Sequence, residues 1–465
     1  MAHASAWHLA AALAMCIPVA MTAQQASRPE ASPDDSTALV QRARSYLAAM
    51  LDGRFGDVEQ DYDSAMHAAL PPGRLGGVWR GLAGQVGALD TVGDARVERQ
   101  GSYRTVVLAV RFARAPIDLR FTFAPDGQLA GLLFQPHAAP AAPAAPPPYV
   151  DRSRFHEDAV TVGTGEWALP ATLALPDTGA AVPAVVLVHG SGPNDRDETI
   201  GPNKPFRDLA WGLASRGIAV LRYDKRTFAH GRAMAAIAAT ITVKEETVDD
   251  ALAAVDLLRR TAGVDPRRIV VLGHSLGGTL VPRIGQRDAG IAGFIIMAGA
   301  TRPLEDLIVE QTRYLDSLRG DTTAEARERL ATLERQAARV RDPQLSATTP
   351  PSELPFGVPA AYWLDLRGYH PAREAASLRR PLLVMDGGRD YQVTKADWDG
   401  WRAALDGRTD ATLRLYPSLN HLFMEGSGPG TPAEYTQAGH VSEAVIADIT
   451  AWVHALQPAA APAGH

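Results

Sequence analysis

Residues 268–278 read Arg-Ile-Val-Val-Leu-Gly-His-Ser-Leu-Gly-Gly. A run of aliphatic, β-branched residues suits a buried strand, and a helix-like stretch follows the glycines. A serine set between glycines at such a strand-to-helix turn can do chemistry. The sharp turn forces Ser275 into a strained backbone conformation. Gly273 and Gly277 stand where a Cβ would collide with neighbouring elements. The strain pushes the Ser275 hydroxyl out over the sheet edge, where it can attack an electrophilic carbon. The N–H of Leu276 starts the next helix, has no intrahelical acceptor, and can hold an oxyanion.

A serine nucleophile needs a base, and the base needs an acid to orient it. Two downstream loops offer both, and each follows the carboxyl end of a strand, the same edge as the serine turn. Residues 382–385 lead into Asp386-Gly387-Gly388-Arg389-Asp390, and residues 412–416 lead into Pro417-Ser418-Leu419-Asn420-His421. Asp390 is the expected acid and His421 the expected base. Asp386 is too close to its strand, and Asp397 falls on a helix. His440 lies in a glycine-flanked stretch before the final helix, and His370 precedes the acid in the chain. The second oxyanion donor is expected after residues 184–188, where the chain reads His189-Gly190-Ser191-Gly192-Pro193. Small residues let backbone approach a substrate carbonyl, so the Ser191 N–H is the expected donor, with Gly192 next. His189 and His274 are expected to pack or bond locally. Asp195, Arg196, Asp197 and Glu198, with Tyr223-Asp224-Lys225-Arg226, stand at strand ends where charges can contact substrate, and they read instead as a buried ion-pair network bracing these loops.

These residues need a sheet to carry them. From residue 149 onward short apolar runs alternate with helical stretches, the pattern of a mostly parallel α/β sheet. Strands are expected at 159–162, 168–175, 184–188, 219–223, 269–272, 293–297, 382–385 and 412–416. The first two should be antiparallel, joined near Gly163-Thr164-Gly165. Helices are expected at 206–215 and 243–261. Between 301 and 375 the strand rhythm stops, and helices are expected at 304–318, 323–340 and 360–366. An insertion at this point, beside the nucleophile's edge, is placed as a lid.

Ahead of this lies residues 37–135, read as a small α+β domain. Helices are expected at 37–51, 55–70 and 75–89. Alternating strands follow at 97–100, 103–113, 117–124 and 129–134, with Pro125-Asp126-Gly127 as turn chemistry. Asp57, Glu59, Asp61 and Asp63 read as a solvated helix face. Residues 136–148 are rich in Ala and Pro and form a semi-rigid spacer.

The chain has 465 residues, 46 basic against 52 acidic, and a formal net charge of -6, which carries no nucleic-acid footprint. The apolar run from Leu9 to Met21 is too short to span a membrane and ends before Thr22-Ala23-Gln24-Gln25. It reads as a cleaved export signal covering residues 1–23, which implies a periplasmic or secreted protein without stable membrane insertion. Cys16 is the only cysteine and lies within that run, so neither a disulfide nor a thiol nucleophile is expected afterwards. Met15 is too bulky for the position before a lipid-bearing cysteine.

On the serine turn, the order Ser-Asp-His, His-Gly-Ser-Gly-Pro-Asn-Asp-Arg-Asp-Glu and Tyr-Asp-Lys-Arg, residues 150–460 resemble the α/β-hydrolase superfamily. They are similar to a bacterial serine-esterase family near the dienelactone-hydrolase and bile-acid-CoA thioesterase/acyltransferase groups. That resemblance implies a catalytic domain at 149–460 with a Ser275-Asp390-His421 triad, acting on a small-molecule carboxylic ester without metal or organic cofactor. A serine peptidase or acyl thioesterase would use the same triad. Thr227 departs from the glycine that many relatives carry after the arginine. Residues 37–135 resemble a nuclear-transport-factor-2-like module of unknown function.

Overall fold

The computed structural model describes residues 33–100, 103–136 and 145–459. The expected export signal and residues 137–144 of the spacer lie outside them. The chain divides into two compact units between Ala142 and Pro143.

In the first unit, α1 (Pro33–Leu51) is followed by α2 (Gly56–Glu59), α3 (Ser64–Ala69) and α4 (Leu75–Val86). Strands β1 (Leu89–Gln100), β2 (Tyr103–Phe112), β3 (Pro116–Phe123) and β4 (Leu129–Pro136) form an antiparallel meander in chain order. The apolar stripe of α1, with Ala43, Tyr46, Leu47 and Met50, is buried with Leu108, Leu119 and Phe121 of the sheet. The helix expected over 55–70 is broken. The Asp61 carbonyl accepts from Leu129 N–H at 2.7 Å and the Asp63 N–H donates to Leu129 O at 3.0 Å, so this backbone bonds the sheet instead of a helix. The acidic face also differs from expectation. Glu59 is buried and accepts from the Gly73 and Leu75 N–H groups, Asp61 accepts from the Tyr46 hydroxyl, and Asp63 caps α3 at Met66 N–H. Only Asp57 of the four is exposed.

The second unit starts with β5 (Phe155–Val162), β6 (Leu169–Pro176) and β7 (Val182–Val188). Then come α5 (Pro205–Ala214), β8 (Ala219–Tyr223), α6 (Arg226–Ala229), α7 (Gly231–Ala236) and α8 (Asp249–Arg259). The central pair is β9 (Val264–His274) and α9 (Leu276–Arg287), followed by β10 (Gly293–Met297). Four helices follow: α10 (Leu304–Arg319), α11 (Ala324–Arg341), α12 (Ala360–Leu366) and α13 (Pro371–Ser377). The unit closes with β11 (Leu382–Gly387), α14 (Lys395–Ala404), β12 (Ala411–Tyr416) and α15 (Glu443–Ala455).

The sheet order is β12-β11-β10-β9-β7-β8-β6-β5, parallel except for β6, which is antiparallel to both neighbours. The apolar runs are explained by helices on both faces. Along β7, Ala184, Val186 and Val188 join one core with α8, α9 and α14, while Val185 and Leu187 join the other with α5 and α15. This is the α/β-hydrolase fold, with the antiparallel domain ahead of it. Among the described residues no helix is long and apolar enough to cross a membrane.

The second unit carries a hydrophobic core on each face of its sheet, built from its own residues. A chain beginning at Ala145 should therefore unfold in one cooperative transition. Leu187→Ala in that chain should lower its unfolding free energy by about 2–5 kcal/mol, because Leu187 is fully buried. Urea denaturation checks both, and a gradual loss of signal would show that the second unit needs the first.

Candidate active site

Ser275 has φ 54° and ψ -118°, a region a non-glycine residue rarely occupies. Its neighbours leave it no alternative. A Cβ on Gly273 would lie 2.3 Å from the Gly277 carbonyl oxygen, and one on Gly277 would lie 2.3 Å from the Val188 oxygen. The Ser275 N–H donates to Met297 O of β10 at 2.9 Å, and its carbonyl accepts the first bond of α9 from Thr279 N–H. Gly190 lies alongside: a methyl there would stand 3.1 Å from Ser275 Cβ and 3.6 Å from its Oγ. Neither the Ser191 nor the Leu276 N–H has an acceptor among the described residues.

The loops after β11 and β12 bring Asp390 and His421 together. His421 Nδ1 is 2.6 Å from Asp390 Oδ2, and both residues are buried. The other carboxylate oxygen accepts from Gln392 and Val393 N–H at 2.7 and 3.0 Å, so the carboxylate has one orientation. With Nδ1 as donor, Nε2 of His421 is left as the proton acceptor. The other carboxylates and imidazoles have different duties. Asp397 is buried at the start of α14, where it pairs with Arg302 and accepts from Thr301 N–H. Asp386 is held well above the usual carboxylate range by burial and by the charge of Asp390. His440 Nδ1 is 3.0 Å from Asp208 on α5, and His370 precedes α13.

A second buried acid–imidazole pair lies under the serine turn, and it reaches further than the local contacts expected of His274. His274 Nδ1 is 2.9 Å from Glu198 Oε2, and His274 Nε2 is 2.9 Å from the His421 carbonyl oxygen. A ring whose two nitrogens both face acceptors favours the doubly protonated form. Burial opposes its charge, and Glu198 outweighs burial, so the His274 pKa is raised. Burial likewise opposes the Glu198 charge, and His274 holds its carboxyl below the ordinary value. Glu198 Oε1 also accepts from Gly190 N–H at 2.8 Å. One carboxylate thus ties the residue before Ser275 to the loop that carries Ser191. His189 is neutral, pushed down to about 4 by burial, and its Nε2 faces Asp195 O.

The helices between β10 and β11 pack at this edge. Tyr362 and Leu366 of α12 pack against the cluster of Val243, Leu276 and Leu280. Tyr314 of α10 stacks on Tyr391 at 5.3 Å and packs with Leu422, the residues that follow Asp390 and His421.

Residues 185–438 match the family model described as alpha/beta hydrolase family, and residues 43–132 match a family of unknown function, DUF3887. Esterase EstD of Thermotoga maritima is 38% identical over 424 residues, covering 88% of this chain and 97% of that protein. The monoacylglycerol lipase of Mycolicibacterium smegmatis is 27% identical over 282 residues, covering 58% of this chain and 87% of its own. Among solved structures, Est1E from Butyrivibrio proteoclasticus aligns at 16% identity with TM-score 0.41, covering 64% of this chain and 99% of that one.

The Glu198–His274 pair predicts a pH signature. Glu198 has a lowered pKa, so its contribution is present above the unfolded value and is lost as pH falls through the folded one. His274 has a raised pKa, so its contribution is present below the unfolded value and is lost as pH rises through the folded one. The stability difference between the parent and Glu198→Gln should peak between roughly pH 4.5 and 6.5 and shrink on either side. Urea unfolding across pH checks it, and a difference that stays flat with pH would mean the pair carries no charge.

Proposed function

The chain belongs to the alpha/beta hydrolase family, and from that premise we propose that it cleaves carboxylic esters through an acyl-enzyme on Ser275. By its likeness to EstD it is an esterase-type hydrolase. The observation that carries the finer reading is the 2.6 Å bond between His421 and Asp390, on loops from the same sheet edge as the Ser275 turn.

In this reading His421 Nε2 takes the Ser275 Oγ proton as Oγ bonds to the acyl carbon. The charge that develops on the carbonyl oxygen is held by the Ser191 and Leu276 N–H groups. His421 then gives its proton to the leaving alcohol oxygen, and the C–O bond of the ester breaks. A water molecule, deprotonated by His421, attacks the acyl-enzyme and releases the acid and free Ser275. Asp390 keeps the proton of His421 on Nδ1 and stabilises the imidazolium of each step. None of these groups comes from the first unit. The apolar amino-terminal run supports export, which makes the substrate a small periplasmic or extracellular ester.

Ser275→Ala should lower kcat at least about a thousandfold without unfolding the protein, and Asp390→Asn should cost about 10⁴ because it misdirects the histidine bond. Asp386→Asn and Asp397→Asn should change stability more than kcat. Turnover of p-nitrophenyl acetate by folded variants decides; Asp390→Asn within tenfold of the parent would move the acid elsewhere. The same assay beside peptide amides and acyl thioesters should favour esters.

The packing of α10 against the Asp390 and His421 loops supports a lid that sets acyl size. Replacing residues 304–341 with a short Gly/Ser linker should alter the acetate-to-decanoate preference more than acetate turnover. An unchanged preference in a folded variant would make those helices a passive insertion.

A further inference from the structure

Lys225 is a charged residue with no part in the acyl-transfer steps, and it is almost wholly buried just after β8. Its ammonium donates to the Gly190 carbonyl at 2.8 Å and pairs with Glu246 at 3.1 Å. Glu246 is itself buried and accepts from the Tyr362 hydroxyl of α12 at 2.8 Å. One chain of polar groups therefore runs from the helices over the site, through Glu246 and Lys225, to the loop beside Ser275.

The endpoint of that chain matters. A peptide unit is planar and trans, so its C=O and N–H point in opposite directions. The carbonyl gripped by Lys225 belongs to Gly190, and the N–H of the same unit belongs to Ser191. A cation fixed on that oxygen sets the direction of the Ser191 N–H. It also polarises the amide, which makes the N–H a stronger donor. The preceding unit is held too, because the Gly190 N–H donates to Glu198. Without Lys225, a loop of Gly190, Ser191, Gly192 and Pro193 has little else to stop this peptide from turning over. Asn194 Nδ2 reaches the same carbonyl only at 3.3 Å, while also facing the Ser191 and Gly192 oxygens at 3.1 and 3.3 Å.

We propose that Lys225 is a positioning residue for the oxyanion site, aiming and polarising the Ser191 N–H through the Gly190 carbonyl, with Glu246 and Tyr362 anchoring it to the covering helices. The inference rests on the reading that Ser191 holds the oxyanion. A lysine that only neutralises Glu246 would affect stability; a lysine that aims a donor affects the tetrahedral state and leaves ground-state binding alone.

The test replaces the ion pair with apolar residues, Lys225→Met with Glu246→Leu, since removing both charges avoids leaving one buried and unpaired. Three quantities are read: kcat and KM for p-nitrophenyl acetate, and the affinity of phenylboronic acid, whose boron bonds to Ser275 Oγ as a tetrahedral adduct. Loss of one oxyanion donor costs about 10²–10³ in kcat. A misdirected donor should cost about 30–100-fold, with KM within threefold and boronate affinity falling in step with kcat. Lys225→Arg keeps the charge at a changed reach and should lose about tenfold in the same coupled way. It decides the matter if the double variant does not fold. Boronate affinity unchanged while kcat falls, or both within threefold of the parent, would overturn the inference. Parent turnover that persists in Ser275→Ala would overturn the esterase reading and this inference with it.

Discussion

Ser275 can keep its φ of 54° only because everything around it is built closer than a side chain allows. Such a backbone conformation costs on the order of 1–3 kcal/mol and survives where the surroundings over-determine it. Here the carbonyls of Val188 and Gly277 approach to within the space of a single methyl group. The bond from Ser275 N–H to Met297 O ties the turn to the neighbouring strand. A side chain on Gly273 or Gly277 would push backbone against backbone, which cannot relax as a flexible side chain can. The central position of β9, with β7 and β10 on either side, follows from this requirement. An edge strand could not supply backbone on both sides of the turn.

The strained turn sits among buried pairs of titratable side chains. Glu198 with His274, Asp390 with His421, and Lys225 with Glu246 are all nearly inaccessible to water. Burying a charge is costly unless it is paired and hydrogen-bonded, and removing one partner of such a pair typically costs 3–5 kcal/mol. What these pairs give in return is position. Each links loops that are distant in the chain: residues 190–198 to the serine turn, the Asp390 loop to the His421 loop, and the end of β8 to residues before α8. Loops rich in small residues have little apolar surface with which to fix themselves, and directional polar contacts do that instead.

The helices between β10 and β11 add a cover made of different material. Their inner residues form a core of their own around Leu333, Ala337, Val340 and Trp363. They meet the site through a few aromatic side chains, Tyr314 and Tyr362 among them. A cover with its own core can vary in sequence and length without disturbing the sheet beneath it.

Much of this protein is determined by local pattern. The strands at 219–223 and 293–297 and the helices over 304–318, 323–340 and 360–366 lie where apolar spacing puts them, because a run buried on both faces or a stripe at helical period leaves few alternatives. The serine turn was legible too, since only glycine can stand where carbonyl oxygens crowd the strand end. So were the loops bearing Asp390 and His421, since both follow strand ends in chain order. The tertiary structure alone decided what depends on groups far apart in sequence. The helix expected through residue 61 yields to the sheet because Leu129 offers two backbone bonds there. Glu59 is buried because Gly73 and Leu75 present N–H groups to it. Glu198 and Lys225 already read as members of an ion-pair network, but their partners, His274 for one and Glu246 with the Gly190 carbonyl for the other, are chosen by long-range packing. Periodicity records which face of an element is buried, but it cannot record which distant polar group will be waiting there.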